Sequence, residues 1–565
     1  MNFLIVYLGQ NPFRLNISKR LFWGLVVLSV AVNVAGIGLP FFTDDPGLYA
    51  SVAKQMLYHH DFLNLYTYGR DWLDKPHFPF WMAALSFQIF GISAWAYRLP
   101  VLLFFFGGIV YTYLFAKKFY GENVARTAVL IAMLTQHGIM SNTDVRAEPY
   151  LFGLLIGAIY HISNLKNRFS VVDLLAAAML SACAVMTKGI FILIGIYGAL
   201  LGELLFRGEF LSALKQFKYW ALLMLTALFM FPEVWALYNQ FDLHPERTVF
   251  GKQNFSGIKF FFWDSQFGRF FNSGPITRKS GSVFFFVHTL LWAFAPWCLL
   301  LYYALAKRFQ QIIKRLPLNE YYTLCGSLIL LLLFSVSGFQ LPFYTNILFP
   351  LFAILAAALL HEKLPVAGEK YILITQSIYT AALPVATVLL NFIIAPGLYS
   401  KIILTVIVAV YLIVYFSRLQ REPANKITVA FVSSCLAVII ANFYVTAFLY
   451  PQIVKYKGEI AAANFVNRHS AKTDSVYVFE DTNNIFQFYV NRPVKIVPLD
   501  QFSAHSDKQA IFYVRQEVLD RLRGQHVEYT LLKSFANYDN ENVTGRFLNP
   551  KTRASSLVTI YLISH

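Results

Sequence analysis

Residues 21–50 read LFWGLVVLSVAVNVAGIGLPFFTDDPGLYA, an apolar run that ends in two adjacent carboxylates. A bilayer core needs roughly 20 apolar residues to be crossed by a helix. The run 21–42 meets that length, is too long for the apolar part of a signal peptide, and lacks a small-residue cleavage site. We therefore expect a retained first membrane span, with Asp44 and Asp45 placed where it meets water.

The composition of the whole chain also indicates a membrane protein. Of its 565 residues, 57% are hydrophobic and 14% are charged, and the mean hydropathy is +0.52. A soluble domain is nearer about a quarter charged. The net charge of +17 comes from short basic clusters between apolar runs, which is the positive-inside pattern and argues against nucleic acid as a partner.

A window of about 19 residues predicts about thirteen spans. They cover residues 21–42, 97–117, 123–140, 147–163, 171–187, 189–206, 218–238, 281–305, 321–338, 342–361, 371–391, 400–417 and 427–450. Basic clusters alternate between these spans so that the N-terminus lies in the cytoplasm and the C-terminus outside. Two long loops, 43–96 and 239–280, then lie on the outer face, and the first contains helix-like stretches near 46–60 and 78–90.

The chain divides into two predicted domains, 1–453 and 454–565. The second is more polar and contains five β-rich runs, at 475–479, 494–499, 510–514, 527–532 and 556–563. The predicted fold class is an all-α polytopic membrane domain followed by a small α/β domain on the outer face. No Walker motif, dinucleotide fingerprint or internal repeat is evident, so ATP-coupled transport is not indicated.

The first external loop contains charges that could carry chemistry. Asp44 and Asp45 begin it, and Asp74 and Lys75 follow directly before Pro76. A carboxylate at this position can deprotonate a hydroxyl or bind a divalent cation, and a lysine can neutralise a phosphate. The alternative is that these charges only terminate the membrane spans.

Further polar residues interrupt apolar sequence on the same predicted face. Charges at membrane depth are costly unless they are paired or functional. The residues are Asp144, Arg146 and Glu148 in 141–150, Lys188 in 186–191, Asp264, Gln266 and Arg269 in 260–274, and Gln340, Tyr344 and Asn346 in 337–350. Snorkelling of Lys188 and a simple packing turn at 337–350 are the alternatives. Together these residues predict one cavity that opens outward, acidic in one part and cationic in another.

The order of these motifs resembles glycosyltransferase family 39, which has the GT-C fold. The matching motifs are D-x-x-x-Y-A at 45–50, D-K-P at 74–76, T-K-G at 187–189, F-F-x₆-R-F at 261–270 and L-P-x-Y-x₅-P at 341–350. The resemblance spans roughly residues 20–360. The members of this family include protein O-mannosyltransferases and bacterial aminoarabinose transferases of lipid A. It differs at Ser265-Gln266, where family members often have Glu-His, and at Gln340, where a lysine is common in the lipid A branch.

The resemblance implies inverting transfer of a sugar from a polyprenyl phosphate, such as undecaprenyl phosphate. It implies catalytic roles for Asp45 as general base, Asp74 and Asp144, and stabilisation of the leaving phosphate by Lys75, Lys188 and Arg269. The other expected substrate-binding residues are Asp44, Tyr49, Arg146, Gln340 and Tyr344. No cofactor is assigned; a divalent metal at Asp45 and Asp144 is left open.

The resemblance also implies a monomer in a bacterial inner membrane, surrounded by membrane lipid, with residues 454–565 in the periplasm. The acceptor is expected to be a glycolipid such as lipid A, a polysaccharide or a protein, and the sugar is left open. Two alternatives remain at this point. One is a ligase or polymerase of lipid-linked oligosaccharides, and the other is a non-enzymatic flippase of lipid-linked sugars.

Overall fold

A computed structural model of the chain describes residues 15–273, 277, 281–394, 397–471, 473–479, 483–502 and 510–564. These residues are mostly helical, and a small mixed sheet lies in the C-terminal part. The predicted fold class, a polytopic helical membrane region followed by a small α/β region, is confirmed.

The helices of the first half follow the predicted spans and loops. They are α1 Lys19–Val34, α2 Asp44–His59, α3 Phe78–Phe90, α4 Ala94–Tyr120, α5 Glu122–Met133, α6 Gln136–Thr143, α7 Glu148–Asn167, α8 Val171–Lys188, α9 Phe191–Phe206, α10 Phe210–Ala213, α11 Phe217–Phe229, α12 Phe231–Leu237, α13 Gly257–Lys259 and α14 Ser265–Phe271. Serine side chains cap several N-termini; Ser18, for example, accepts a hydrogen bond from the Leu21 amide at the start of α1. Tyr238–Asp242 and Phe260–Asp264 are π-helical.

The second half continues with long apolar helices and then shorter ones. They are α15 Phe285–Ala293, α16 Cys298–Ile313, α17 Tyr322–Val336, α18 Phe349–Leu360, α19 Val366–Ile394, α20 Leu398–Arg421, α21 Lys426–Tyr444, α22 Tyr450–Val454, α23 Gly458–His469, α24 Asn484–Tyr489, α25 Gln516–Gly524 and α26 Gly545–Leu548. Pro342–Leu348 forms a 3₁₀ helix before α18, and Val445–Leu449 is π-helical.

Each of the thirteen predicted spans coincides with one or more of these helices. Within the described ranges, seven helical segments are long and apolar enough to cross a membrane. They are Ala94–Tyr120, Val171–Lys188, Phe217–Asp242, Pro342–Leu360, Val366–Ile394, Leu398–Arg421 and Pro423–Val454. The predicted count of thirteen is therefore larger than the number of segments that meet this criterion.

Two predicted spans are broken in the middle, and the two breaks contact each other. The run 123–140 is interrupted between α5 and α6, and the run 281–305 between α15 and α16, beside Pro296. The Gln136 amide donates to the Ala295 carbonyl (3.0 Å), and the Trp297 indole donates to the Leu134 carbonyl (2.8 Å). Backbone groups freed inside a membrane must find partners in the protein, and each break supplies them to the other.

Two short strands, β1 Tyr66–Thr67 and β2 Arg70–Asp71, lie in the first external loop. The C-terminal sheet has five strands, β3 Val476–Val478, β4 Val494–Ile496, β5 Ile511–Arg515, β6 Thr530–Asn537 and β7 Val558–Ser564. Their order in the sheet is β4-β3-β5-β7-β6. Strand β3 pairs in parallel with β4 and β5, whereas β7 pairs antiparallel with β5 and β6. All five β-rich runs of the sequence overlap these strands.

Helix α24 joins the C-terminal region to the first external loop by packing on α2. The buried Lys54 side chain on α2 donates hydrogen bonds to the carbonyls of Gln487, Phe488 and Val490, at the C-terminal end of α24. The three N–H groups of an ammonium match three unpaired carbonyls at a helix end, where a positive charge is also favourable. At Gly47 of α2, a Cβ atom would come within 3.1 Å of the Ile485 backbone nitrogen. This contact fixes the helix that begins with Asp44 and Asp45.

Candidate active site

One cavity of about 320 Å³ gathers most of the predicted site residues. Its polar lining comes from both long external loops, from the segment between α6 and α7, from the end of α8, from the 3₁₀ helix and from the C-terminal region. These residues are Asp45, Tyr49, Asp74, Lys75, Arg146, Glu148, Lys188, Gln266, Arg269, Ser337, Tyr344 and Glu541. Motifs that are up to several hundred residues apart in sequence therefore share one space.

Arg146 organises one end of the cavity. Its guanidinium forms an ion pair with Asp45, and its Nε lies 3.5 Å from Asp144 Oδ2. The same group lies over the Phe343 ring at 4.4 Å from the ring centroid, a cation–π contact. Asp45 lies in the first turn of α2, where a carboxylate is favoured by the partial positive charge of the helix N-terminus. Arg146 thus holds both predicted catalytic carboxylates of this end in fixed directions.

Asp74 lies between two cations at another part of the cavity. Its carboxylate forms ion pairs with Lys75 and Arg269, and Arg269 also donates to Ser265 Oγ (2.7 Å). Burial raises the pKa of Asp74, but the charges and hydrogen bonds of Lys75 and Arg269 outweigh this effect and hold the pKa below its usual value. Two cations against one carboxylate leave this cluster with an excess positive charge.

The loop that carries Asp74 and Lys75 is held by a buried His–Glu pair. The Glu233 carboxylate accepts from the His77 amide (3.0 Å) and contacts His77 Nδ1 (3.0 Å), and His77 Nε2 contacts the Leu63 carbonyl (3.0 Å). Both side chains are fully buried. A carbonyl only accepts, so the contact with Leu63 places a donor at Nε2. This pair ties the D-K-P motif to α12.

Lys188 completes the cationic part of the cavity. It forms an ion pair with the buried Glu148 carboxylate, and its ammonium lies 3.7 Å from the centroid of the Tyr344 ring. Lys188 is the last residue of α8, and Glu148 is the first residue of α7, where the helix dipole favours a carboxylate. The lysine therefore faces the cavity, paired with a carboxylate.

Five of the residues predicted to form the cavity lie outside this lining, namely Asp44, Asp144, Asp264, Gln340 and Asn346. Asp44 points to the C-terminal region, where its carboxylate accepts from the Asn484 amide (3.3 Å) and side chain. Asp144 lies behind Arg146 and accepts from Thr43 Oγ1. Gln340 is buried and donates to the Ser335 carbonyl (2.9 Å). Adjacent positions in a motif point in different directions here, since a helix start and a 3₁₀ turn rotate successive side chains apart.

Two lining residues, Glu148 and Gln266, stand in the predicted motifs without an assigned role. A third lining residue without an assigned role, Glu541, was not predicted, because it lies in a polar loop after β6 that has no recognisable motif. The predicted C-terminal domain thus contributes directly to the cavity. No sequence signal beyond the acidic residue itself could have indicated this.

The remaining wall of the cavity is apolar. It is formed by Phe191, Ile192, Phe270, Leu333, Phe334, Phe339, Leu341, Phe343 and Ile347. An apolar wall beside a cluster of cations fits a ligand with a hydrocarbon chain and an anionic head group.

Comparisons with known proteins agree with this architecture. A sequence model of the family described as dolichyl-phosphate-mannose-protein mannosyltransferase matches residues 74–236. The structure of ArnT from Cupriavidus metallidurans bound to undecaprenyl phosphate has a TM-score of 0.72 at 16% identity, over 96% of this chain and 98% of that chain. The fold is GT-C. The apo structure of the same ArnT gives 0.69 at 18% identity, over 91% and 97% of the two chains.

Two sequence relatives match over somewhat more than half of this chain. An undecaprenyl phosphate-alpha-4-amino-4-deoxy-L-arabinose arabinosyl transferase from Pseudomonas aeruginosa (strain UCBPP-PA14) is 23% identical over 340 residues. An uncharacterized protein from Aquifex aeolicus (strain VF5) is 27% identical over 322 residues. The matches span 57% and 58% of the relatives' own lengths, respectively.

Among the described residues, the carboxylates of the cavity do not form a metal site. Across the described ranges, no group of three or more His, Cys, Asp or Glu residues is placed to hold a metal ion. Asp45 and Asp144, the two carboxylates left open as ligands, share the Arg146 guanidinium. A divalent ion between them would have to displace this cation, so the donor set as arranged does not fit a metal.

Proposed function

We propose that this chain is a membrane glycosyltransferase that moves a sugar from a polyprenyl phosphate to an acceptor on the outer face, with inversion at the anomeric carbon. The observation that carries the proposal is the cavity itself. It combines a cationic cluster at Asp74, Lys75 and Arg269, the Asp45 carboxylate paired with Arg146, and an apolar wall. The GT-C fold and the undecaprenyl phosphate named in the ArnT structure support the same donor class.

The reaction divides naturally between the two parts of the cavity. The acceptor oxygen attacks the anomeric carbon, the bond from that carbon to the phosphate oxygen breaks, and the electron pair leaves with the polyprenyl phosphate. Lys75, Lys188 and Arg269 stabilise the charge that develops on the phosphate, as fixed donors in a water-poor site. The proton of the attacking acceptor hydroxyl passes to Asp45, the carboxylate that lines the other part of the cavity.

Supporting residues position these groups in the proposed mechanism. Arg146 orients Asp45 and is itself fixed by Asp144 and the Phe343 ring. Tyr49, buried against Trp72 and Phe80, and Tyr344, under the Lys188 ammonium, shape the space between the two ends. We place the enzyme in a bacterial inner membrane with the C-terminal domain in the periplasm, and the acceptor among glycolipids, polysaccharides and proteins.

Transfer of label tests the proposal. Purified protein is incubated with a radiolabelled polyprenyl-phosphate monosaccharide and a bacterial membrane extract, and the labelled products are separated. We expect label to move from the carrier to a second molecule. A ligase or polymerase would move label only from an oligosaccharide carrier, and a flippase would leave the carrier intact, so either result would contradict the proposal.

The variant Asp45→Asn tests the proposed base. We expect transfer to fall by about 10²–10⁴-fold, while binding of the labelled donor lipid is retained. The matched control is Asp264→Asn, an aspartate of the second external loop that does not line the cavity. Asp264→Asn should transfer at the wild-type rate, and full activity of Asp45→Asn would remove the base assignment.

A further inference from the structure

The cavity contains one carboxylate that its cations do not neutralise. Asp45 is paired with Arg146, Asp74 with Lys75 and Arg269, and Glu148 with Lys188. Glu541 also lines the cavity, and it has no ion pair or hydrogen bond with the part of the chain that the structure describes. An exposed carboxylate at the edge of a polar cavity is available to accept hydrogen bonds from a ligand.

The loop that carries Glu541 is fixed, although it lies between β6 and α26. Tyr538 is buried and stacks on Phe547, with 3.7 Å between ring centroids. Its hydroxyl donates to the Asn542 carbonyl (2.6 Å) and accepts from the Thr544 amide (3.2 Å). These bonds join Tyr538, which precedes residue 541, to Asn542 and Thr544, which follow it. The carboxylate is therefore presented from a constrained turn and loses little freedom when a ligand binds.

The same tyrosine places Glu541 on the Asp45 side of the cavity. The Tyr538 ring stacks on Phe42 at 6.1 Å, three residues before Asp45, and its carbonyl accepts from Lys457 (2.8 Å). Burial raises the pKa of Asp44, and the charges of Asp45 and Glu541 add to that rise, which agrees with this position. Glu541 thus lies in the part of the cavity near the proposed base.

We propose that Glu541 is a specificity-determining residue that binds hydroxyl groups of the acceptor. The inference rests on the proposed function and deepens it by assigning an acceptor subsite to the C-terminal domain. A carboxylate has two oxygens that accept hydrogen bonds, so it suits neighbouring hydroxyls of a sugar. It repels a phosphate, so the donor head group binds elsewhere.

The experiment measures acceptor and donor binding separately. Label transfer is followed at saturating labelled polyprenyl-phosphate monosaccharide while the amount of membrane extract is varied. We expect Glu541→Gln and Glu541→Ala to raise the half-saturating amount of extract about tenfold or more, because a hydrogen bond to a charged group is lost. The maximal rate and the affinity for the labelled donor lipid should stay near wild type.

Two further variants isolate the role of the loop. Glu528→Gln alters an exposed glutamate of the same domain that lies outside the cavity and should behave as wild type. Tyr538→Phe removes only the hydroxyl that closes the loop and should raise the half-saturating amount of extract by a smaller factor than Glu541→Ala.

The outcomes separate this inference from the proposed function. Wild-type protein that transfers no label from any carrier overturns both. Wild-type activity combined with an unchanged half-saturating amount of extract for both Glu541 variants overturns this inference alone. A loss of donor affinity in those variants would assign Glu541 to the donor and would also overturn it.

Discussion

The Arg146 guanidinium forms an ion pair with Asp45, a carboxylate in the first turn of α2. The two residues come from different segments of the chain, and Arg146 also contacts Asp144 and the Phe343 ring. One planar cation therefore links the first loop, the α6–α7 segment and the 3₁₀ helix. Its geometry sets the direction of the proposed base.

The variant Arg146→Lys keeps the positive charge but removes the planar set of N–H donors of the guanidinium. We expect transfer to fall by at least tenfold, because an ammonium cannot contact two carboxylates and an aromatic face with the same geometry. The measurement is the rate of label transfer, with the thermal midpoint in detergent as a check on folding. Wild-type transfer by a folded Arg146→Lys would show that this geometry is dispensable.

Lys188 and Glu148 allow stability and activity to be separated. Lys188→Met leaves the buried Glu148 carboxylate without its cation, and we expect a loss of about 3–5 kcal/mol in the free energy of unfolding. The double variant Lys188→Met/Glu148→Gln removes both charges and should recover most of that stability. Transfer should remain low in both variants, since the phosphate loses a cation. Recovery of transfer in the double variant would contradict a role for Lys188 at the phosphate.

Asp44 predicts a pH dependence of stability. Burial raises its pKa to about 6; the charges of Asp45 and Glu541 add to the rise and the Asn484 hydrogen bonds oppose it. A carboxyl with a higher pKa in the folded protein stabilises the fold while it is protonated. That contribution is complete below the unfolded pKa of about 4 and is lost as the pH rises through about 6.

The variant Asp44→Asn tests this dependence, because its amide oxygen can still accept from Asn484. We expect Asp44→Asn to be more stable than wild type by about 2–3 kcal/mol at pH 8, with the difference disappearing near pH 4. Thermal midpoints in detergent at both pH values provide the measurement. A difference that is the same at both pH values would show that ionisation of Asp44 does not oppose folding.

Lys54 predicts a local effect on the domain contact. Lys54→Met fills similar space but leaves the carbonyls of Gln487, Phe488 and Val490 without their donor. We expect amides of α24 to exchange with deuterium at least tenfold faster, because each unpaired buried carbonyl costs about 1–3 kcal/mol. Amides of α4 serve as the internal reference. If the α24 amides exchanged at the same rate in Lys54→Met as in wild type, apolar packing alone would hold α2 and α24 together.

Much of the helical architecture could be predicted, because crossing a membrane is a local requirement on length and apolarity. The breaks beside Leu134 and Pro296 could not, because each depends on hydrogen bonds supplied by the other. No window of sequence contains both.

The candidate site shows the same division. The loop charges Asp45, Asp74 and Arg269 converge as the motifs indicated. Asp44 turns away because Asn484, which is distant in sequence, donates hydrogen bonds to its carboxylate from both the backbone amide and the side chain. Glu541 enters the cavity because Tyr538 stacks on Phe42, a contact between two parts of the chain that no motif connects.

The strand order of the C-terminal sheet has a consequence for biosynthesis. Strand β6, which leads into the Glu541 loop, pairs with β7, and β7 also pairs with β5. Because a chain emerges from the ribosome in sequence order, residues 558–564 must be made before β6 can join the sheet. A nascent chain that has reached residue 557 already contains the proposed catalytic carboxylates and cations, but the loop that completes the acceptor side has no neighbouring strand to hold it. Synthesis of β7 is therefore required before β6 can hold the start of this loop in the sheet.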